Sequence, residues 1–170
     1  MNLQRNASAV IFFLFFCGSP AYPQQNFPPA KTIFLELGGS AGAASLNYDR
    51  VFFYRSFYAL SYRGGFSLLP TPAGNSGRQT GFIFPFLFTA LSGEKNHHAE
   101  IGFGQTVYFS TALKGFARAA LDIGYRFQKP GGGIFFRAAY TPLVSYLYEV
   151  QYENWFGVSI GYTHKNKRDE

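Results

Sequence analysis

After its first thirty residues the chain breaks at turn signals into eight short segments, most of which alternate large apolar residues with small or charged ones. The last segment is the clearest: Phe156, Val158, Ile160 and Tyr162 share one parity, and Gly157, Ser159 and Gly161 the other. A period of two is the signature of a strand with two unlike faces. Strands are predicted near residues 31–39, 43–52, 56–66, 79–90, 98–109, 115–127, 133–142 and 154–163. No stretch beyond the first thirty residues sustains a helical apolar period. Each segment has about the 9 to 12 residues that a tilted strand needs to cross hydrocarbon.

The connections differ in length. Ser67–Arg78 and Leu143–Glu153 are long, Leu91–His97 is moderate, and the rest are short. The long ones are connections three and seven, so they emerge on the same side of an up-and-down barrel. In outer-membrane barrels long loops face outward and turns face the periplasm, and an even strand count returns both termini to the periplasm. The expected fold class is therefore all-β, an eight-stranded antiparallel up-and-down transmembrane β-barrel. Gly38-Gly39-Ser40-Ala41-Gly42 reads as a hairpin turn or strand kink, because no helix follows to hold a phosphate.

The apolar parity collects Tyr58, Leu60, Tyr62, Ile101, Phe103, Leu121, Ile123, Tyr125, Ile134 and Phe136, none of them charged. The opposite parity carries Glu36, Asp49, Arg63, Glu100, Arg118, Asp122, Arg126 and Arg137 among glycines, alanines and serines. An eight-stranded barrel has room inside only for side chains or one small ligand, so the bulky aromatic face is assigned outward. A secreted soluble barrel of the lipocalin kind would invert the faces, leaving a glycine-rich exterior and an overfilled interior. Charges in a narrow lumen must be paired, so the four acids are expected to meet the four arginines and plug the bore. Aromatic girdles are expected at Phe52, Phe53, Tyr54, Phe127 and Tyr162 on the periplasmic side, and at Phe66, Tyr108, Phe109, Phe116, Tyr140 and Trp155 on the outer side. Strand four fits least well, because Phe82, Phe84, Phe86 and Phe88 alternate with Ile83, Pro85 and Leu87. Pro85 lacks a ladder donor, which predicts a bulge, an unpaired position or a lateral opening.

The amino terminus supplies the route. Arg5 is the only charge in the first thirty residues, and the apolar run Ala9–Phe16 ends at Gly18-Ser19-Pro20-Ala21. That is the form of a secretory signal cleaved after Ala21, too short for the roughly 20 apolar residues of a spanning helix. Cys17 raises lipid modification as an alternative, against which the large Phe16 stands. The expected organisation is a signal peptide (1–21), a linker (22–30), a barrel (31–163) and a polar periplasmic tail (164–170).

Composition agrees with a membrane barrel. Aromatic residues make up 20% of the chain and charged residues 14%, against about 25% charged in an ordinary soluble domain. The only cysteine is Cys17, so no disulfide or thiol chemistry is expected after cleavage. The formal charge of +6, with Lys165, Lys167 and Arg168 in the tail, suits anionic headgroups or a solvated tail better than nucleic acid. His97 and His98 are adjacent on a strand and so diverge, making a poor metal pair. They are read as a solvated turn, and no catalytic, cofactor or metal residues are assigned.

The alternating strands, the charged lumen and the closing Phe156-Gly157-x-x-Ile160-x-Tyr162 resemble the small outer-membrane barrels of the OmpA/OmpX type. Phe34-Leu35-Glu36-Leu37-Gly38-Gly39 followed by Ser45-Leu46-Asn47-Tyr48-Asp49-Arg50 is similar to the opening of uncharacterised barrels from Gram-negative bacteria. The resemblance implies that Gly157, Ile160 and Tyr162 form an assembly signal for the barrel-insertion machinery, although this chain continues past the last aromatic. Expected partners are outer-membrane lipid, that machinery and a surface ligand bound by Tyr146, Tyr148 and Tyr152, with the protein a monomer in the bacterial outer membrane. The function expected is structural or surface-interacting and non-enzymatic. The alternatives are a lipid-modifying barrel enzyme and a small transporter of apolar molecules.

Overall fold

The computed structural model describes residues 30–55, 57–74, 77–110, 115–146 and 150–165, with the backbone alone for 69–74, 77–79 and 165. The signal segment, Cys17, most of the linker and the tail beyond residue 165 lie outside the described residues. The strands are β1 (Ala30–Gly38), β2 (Ala44–Tyr54), β3 (Tyr58–Gly74), β4 (Gly77–Glu94), β5 (His97–Ser110), β6 (Gly115–Gln128), β7 (Gly133–Ser145) and β8 (Gln151–Lys165). Each pairs antiparallel with its neighbours in sequence, and β1 pairs with β8 from Ala30↔Lys165 to Gly38↔Gly157. Closing the sheet leaves no unpaired edge, the condition for a sheet surrounded by lipid.

Alternation fixes the faces. Leu35, Ile101, Phe103, Ile134, Phe156 and Ile160 point outward and are each about 60–75% exposed, whereas Glu36, Asp49, Asp122, Arg126 and Arg137 point inward and are fully buried. Strand β4 obeys the same rule with an apolar interior face: Phe84, Phe86 and Phe88 are outside, while Ile83, Pro85 and Leu87 are inside. At Pro85 the β3–β4 ladder passes from Gly64↔Phe86 to Ser67↔Ile83, so Gly65 and Phe66 do not pair with Phe84 and Pro85. The locally unpaired position expected at Pro85 is present.

The two ends of the barrel differ. At the terminal end, where β1 begins and β8 finishes, the strands turn tightly: Arg55 N–H donates to Tyr58 O at 2.8 Å and Gly132 N–H to Lys129 O at 3.0 Å. Lys95 takes the left-handed conformation (φ 57°) in the turn before β5. At the opposite, loop end, two expectations need correction. Ser67–Arg78 is mostly a hairpin, with Leu68↔Phe82 and Thr71↔Gln79 in register. It outruns its neighbours, since β2 pairs only up to Leu46↔Phe66 and β5 only up to Gly81↔Ser110. A hairpin with open sides tolerates Pro70 and Pro72, which is why the prolines misread as loop. Likewise Leu143↔Glu153, Val144↔Tyr152 and Ser145↔Gln151 pair, which shortens the last connection to residues 146–150.

Candidate functional site

The interior is built in layers. Near the terminal end, Val51, Ala59 and Leu91 form a small apolar cluster. Beside it, Thr32 and Thr163 share a hydrogen bond of 3.0 Å across the β1–β8 seam, and Gln128 donates to Thr32 at 3.2 Å. His98 points into this layer and is buried, while His97 points outward with Nδ1 2.5 Å from the Tyr125 hydroxyl. Both residues begin β5, so the expected solvated turn is replaced by the first rungs of a strand.

The central layer is ionic. Arg137 is its hub: Nη1 donates to Glu36 Oε1 at 2.6 Å, and the same guanidinium donates to Glu100 and Asp122. Arg126 donates through Nε to Glu100 at 2.9 Å and through both terminal nitrogens to Asp49, at 3.0 and 3.1 Å. Arg63 donates to Asp122 at 2.6 Å. Ser61 and Thr141 donate to Asp49 and Asp122 at 3.0 and 3.3 Å. Six strands contribute: the inward parity of β1, β2, β3, β5 and β7 carries one of these charges each, and that of β6 carries two, Asp122 and Arg126. Phe34 and Phe135 pack together inside, 5.0 Å between centroids, and the Arg126 guanidinium lies 5.3 Å from the Phe135 ring centre. These two rings, absent from the expected lumen set, each share parity with a lumen charge on their own strand, Glu36 and Arg137.

Arg118 is not part of this layer, contrary to expectation. It lies nearer the loop end, half-buried, and Nη1 donates to Glu153 Oε2 at 2.9 Å. Glu153 falls in the expected connection Leu143–Glu153, and only its pairing in β8 brings it opposite Arg118. The inner network therefore sets three guanidiniums against four carboxylates, and Glu36 Oε2, Arg63 Nε and Arg63 Nη1 have no hydrogen-bond partner among the described residues.

Above the ionic layer the chain crosses the lumen. The β1–β2 connection forms a single 3-10 turn, Gly39–Ala41, whose three residues are all buried. It is pinned by Thr106 Oγ1, which donates to Ser40 O at 2.9 Å. Gly39 adopts φ +72° with its α-carbon against Glu36, and a Cβ there would lie 2.6 Å from the carboxyl carbon. Only glycine fits both that backbone and that contact. At the mouth, Tyr108, Phe116 and Trp155 share the inward parity of Thr106, Arg118 and Gly157 and line a cavity with Thr106 and Arg118. They had been expected in the outer aromatic girdle. Counting residues from the nearest inward charge or glycine would have turned them inward.

The remaining candidates do not converge. Tyr146, exposed after β7, accepts a hydrogen bond from Gln105; Tyr152 is an outward residue of β8 bonded to Tyr140 at 3.0 Å; Tyr148 lies outside the described residues. On β8, Gly157 faces inward beside Gly39 and Glu36, whereas Ile160 and Tyr162 face outward opposite Leu35 and Ile33.

No protein-family model and no curated protein matches the chain. Solved structures do match in fold. The N-terminal β-barrel domain of Pseudomonas aeruginosa OprF aligns over 82% of this chain and 98% of its own, with a TM-score of 0.53 at 10% identity. Ail, the attachment invasion locus protein of Yersinia pestis, solved in complex with the heparin analogue sucrose octasulfate, aligns over 81% of this chain and 99% of its own. Its TM-score is 0.52, again at 10% identity. This chain has the closed, eight-stranded, all-antiparallel fold of the small outer-membrane barrels.

Proposed function

We propose that this protein is an integral outer-membrane barrel, non-catalytic and monomeric, with a plugged lumen and a loop end that serves as its interaction surface outside the cell. One observation carries the reading: an outward band of large apolar residues surrounds a fully buried ion-pair network. A soluble barrel would expose that band to water, a contiguous apolar patch far beyond the few hundred Å² usual for soluble monomers. Buried charges linked through Arg126 and Arg137 leave little space for hydrated ions, which supports a plug over a pore. Delivery by the amino-terminal signal, and recognition of outward Ile160 and Tyr162 by the insertion machinery, complete the proposal. The histidines described sit at the terminal end, away from the rim where a lipid-modifying enzyme would meet its substrate from outside.

Migration on a detergent gel with and without boiling tests the membrane barrel. A heat-dependent shift is expected, and purification as a detergent-free soluble monomer would overturn the reading. In planar bilayers the protein is expected to carry no steady ion current, and sustained conductance would overturn the plug.

One observation favours a second reading, transport of apolar molecules. An outward groove of about 520 Å³ lies over the unpaired stretch of β3 and β4, lined by Gly64, Gly65, Pro85 and lumen-facing Asn47. Replacing Pro85 with a residue that restores the ladder is expected to abolish uptake of an apolar probe into liposomes if the groove conducts, and to change nothing if it does not.

A further inference from the structure

On the outer wall near the terminal end, three neighbouring strands bring nitrogen-bearing side chains into one row. Lys31 on β1 is in register with Arg50 on β2 and with His164 on β8, and all three are exposed. Directly opposed side chains on antiparallel strands stand about 5 Å apart at Cβ, and like charges there repel. Nothing among the described residues offsets that repulsion. The carboxylates of the same two strands, Glu36 and Asp49, are fully buried in the lumen, and neither Lys31 nor Arg50 makes an ion pair or hydrogen bond among the described residues. Along β2, Arg50 has exposed Tyr48 and Phe52 on either side, so it stands on the aromatic wall and not in a solvated turn. A guanidinium on such a wall calls for an anion, and phosphate matches its fork of donors.

One outward rung further along the wall, the same strands open a groove. Ile33 pairs with Tyr48, Tyr48 with Gly64, and Gly64 with Phe86, and these four residues line the groove of about 520 Å³ over the β3–β4 gap. Gly64 makes the hollow: among the rings of Tyr48, Phe66 and Phe86 it is a position where a Cβ would meet nothing within 4 Å. Ile33 follows Lys31 by two residues, about 7 Å along a strand. The cations therefore stand at the end of an apolar trough, the layout of a headgroup and a chain.

We propose that this face binds one anionic glycerophospholipid. Its phosphodiester lies between Lys31 and Arg50, with His164 as a further donor, and one acyl chain runs along Ile33 and Tyr48 into the hollow at Gly64. The site rests on the outer-membrane reading above, with the terminal end toward the periplasm, and it requires no passage through the β3–β4 gap.

The protein, purified in a nonionic detergent, is titrated with phosphatidylglycerol and with phosphatidylcholine of the same chains, and bound lipid is counted by native mass spectrometry. One phosphatidylglycerol is expected to be retained, at least about tenfold more tightly than phosphatidylcholine. Glycerol 3-phosphate carries the anion without the chains and is expected to bind at least about a hundredfold more weakly; an affinity equal to the lipid's would overturn the lipid in favour of a free phosphate. Lys31→Gln combined with Arg50→Gln is expected to abolish the preference for phosphatidylglycerol. Gly64→Leu fills the hollow and is expected to weaken phosphatidylglycerol about fivefold while keeping the preference. Equal binding of the two lipids by wild type overturns the proposal, as does a preference that survives the double substitution or an affinity untouched by Gly64→Leu. The heat-dependent gel shift, read on the same preparations, separates the site from the barrel. With the shift present these failures count against the site alone, and its absence in wild type overturns the barrel and the site together. If one variant loses the shift, the other variant and the wild-type comparison of the two lipids decide.

Discussion

The ionic layer and the mouth are built from the same inward parity of the same strands, yet they solve opposite problems. In the layer, Arg126 and Arg137 each bind at least two carboxylates, every charge is buried, and Ser61 and Thr141 take up carboxylate lone pairs. In the mouth, one half-buried pair, Arg118–Glu153, sits beside three aromatic rings that line a cavity. Dense pairing closes a bore, whereas sparse pairing framed by rings leaves room for something else. The turn Gly39–Ala41 divides the two, and its glycines allow it to cross the lumen.

The comparison can be broken most severely at the hub. Arg137→Met strands Glu36 and leaves Glu100 and Asp122 with one arginine each, Arg126 and Arg63, and a loss of about 3–5 kcal/mol is expected from taking a cation out of a buried network. It is read as a drop in the urea midpoint of the gel shift, and Arg137→Met combined with Glu100→Gln should recover part of it. Next comes the outer surface: Phe103→Arg, at mid-height and 64% exposed, is expected to cost about 2–4 kcal/mol in lipid. In the same refolding assay in detergent the cost should shrink, and an equal cost in a soluble preparation would remove the membrane assignment. Gly39→Ala tests the partition between the layers. Left-handed backbone and a methyl pressed on Glu36 predict a loss of about 1–3 kcal/mol, and a neutral outcome would show that the turn moves freely. The smallest effect is expected at Arg118→Met, under about 1 kcal/mol, since the pair is partly exposed and solvent screens it. If Arg118→Met destabilised as much as Arg137→Met, the distinction between layer and mouth would fail.

How far these regions were legible depends on what the two-residue period encodes. It separates inside from outside without reference to depth, so Glu36, Asp49, Arg63, Glu100, Asp122, Arg126 and Arg137 could be assigned inward from their neighbours alone. Depth along the axis depends on register. Arg118 shares the parity of Asp122 and Arg126 but sits several residues nearer the loop end, where Glu153 rather than Asp49 or Glu36 is within reach. Strand ends were legible only where turn residues broke the alternation. Prolines 70 and 72 suggested a loop where an open-sided hairpin tolerates them, and the tyrosine-rich stretch hid the strand pairing that carries Glu153. Tyr108, Phe116 and Trp155 were legible by parity, but their positions near strand ends suggested a girdle instead.

By itself the sequence determined a closed, two-faced sheet, because alternation, turn spacing and volume depend only on the order of residue types. It also determined that charge lies inside, since no apolar face had room for it. The tertiary structure decided which acid meets which arginine, that the first turn folds into the lumen instead of out of it, and that a cavity walled by aromatic rings lies above that turn. Those outcomes depend on register and tilt around the barrel, which place residues from distant strands at one height, and no local pattern records that height.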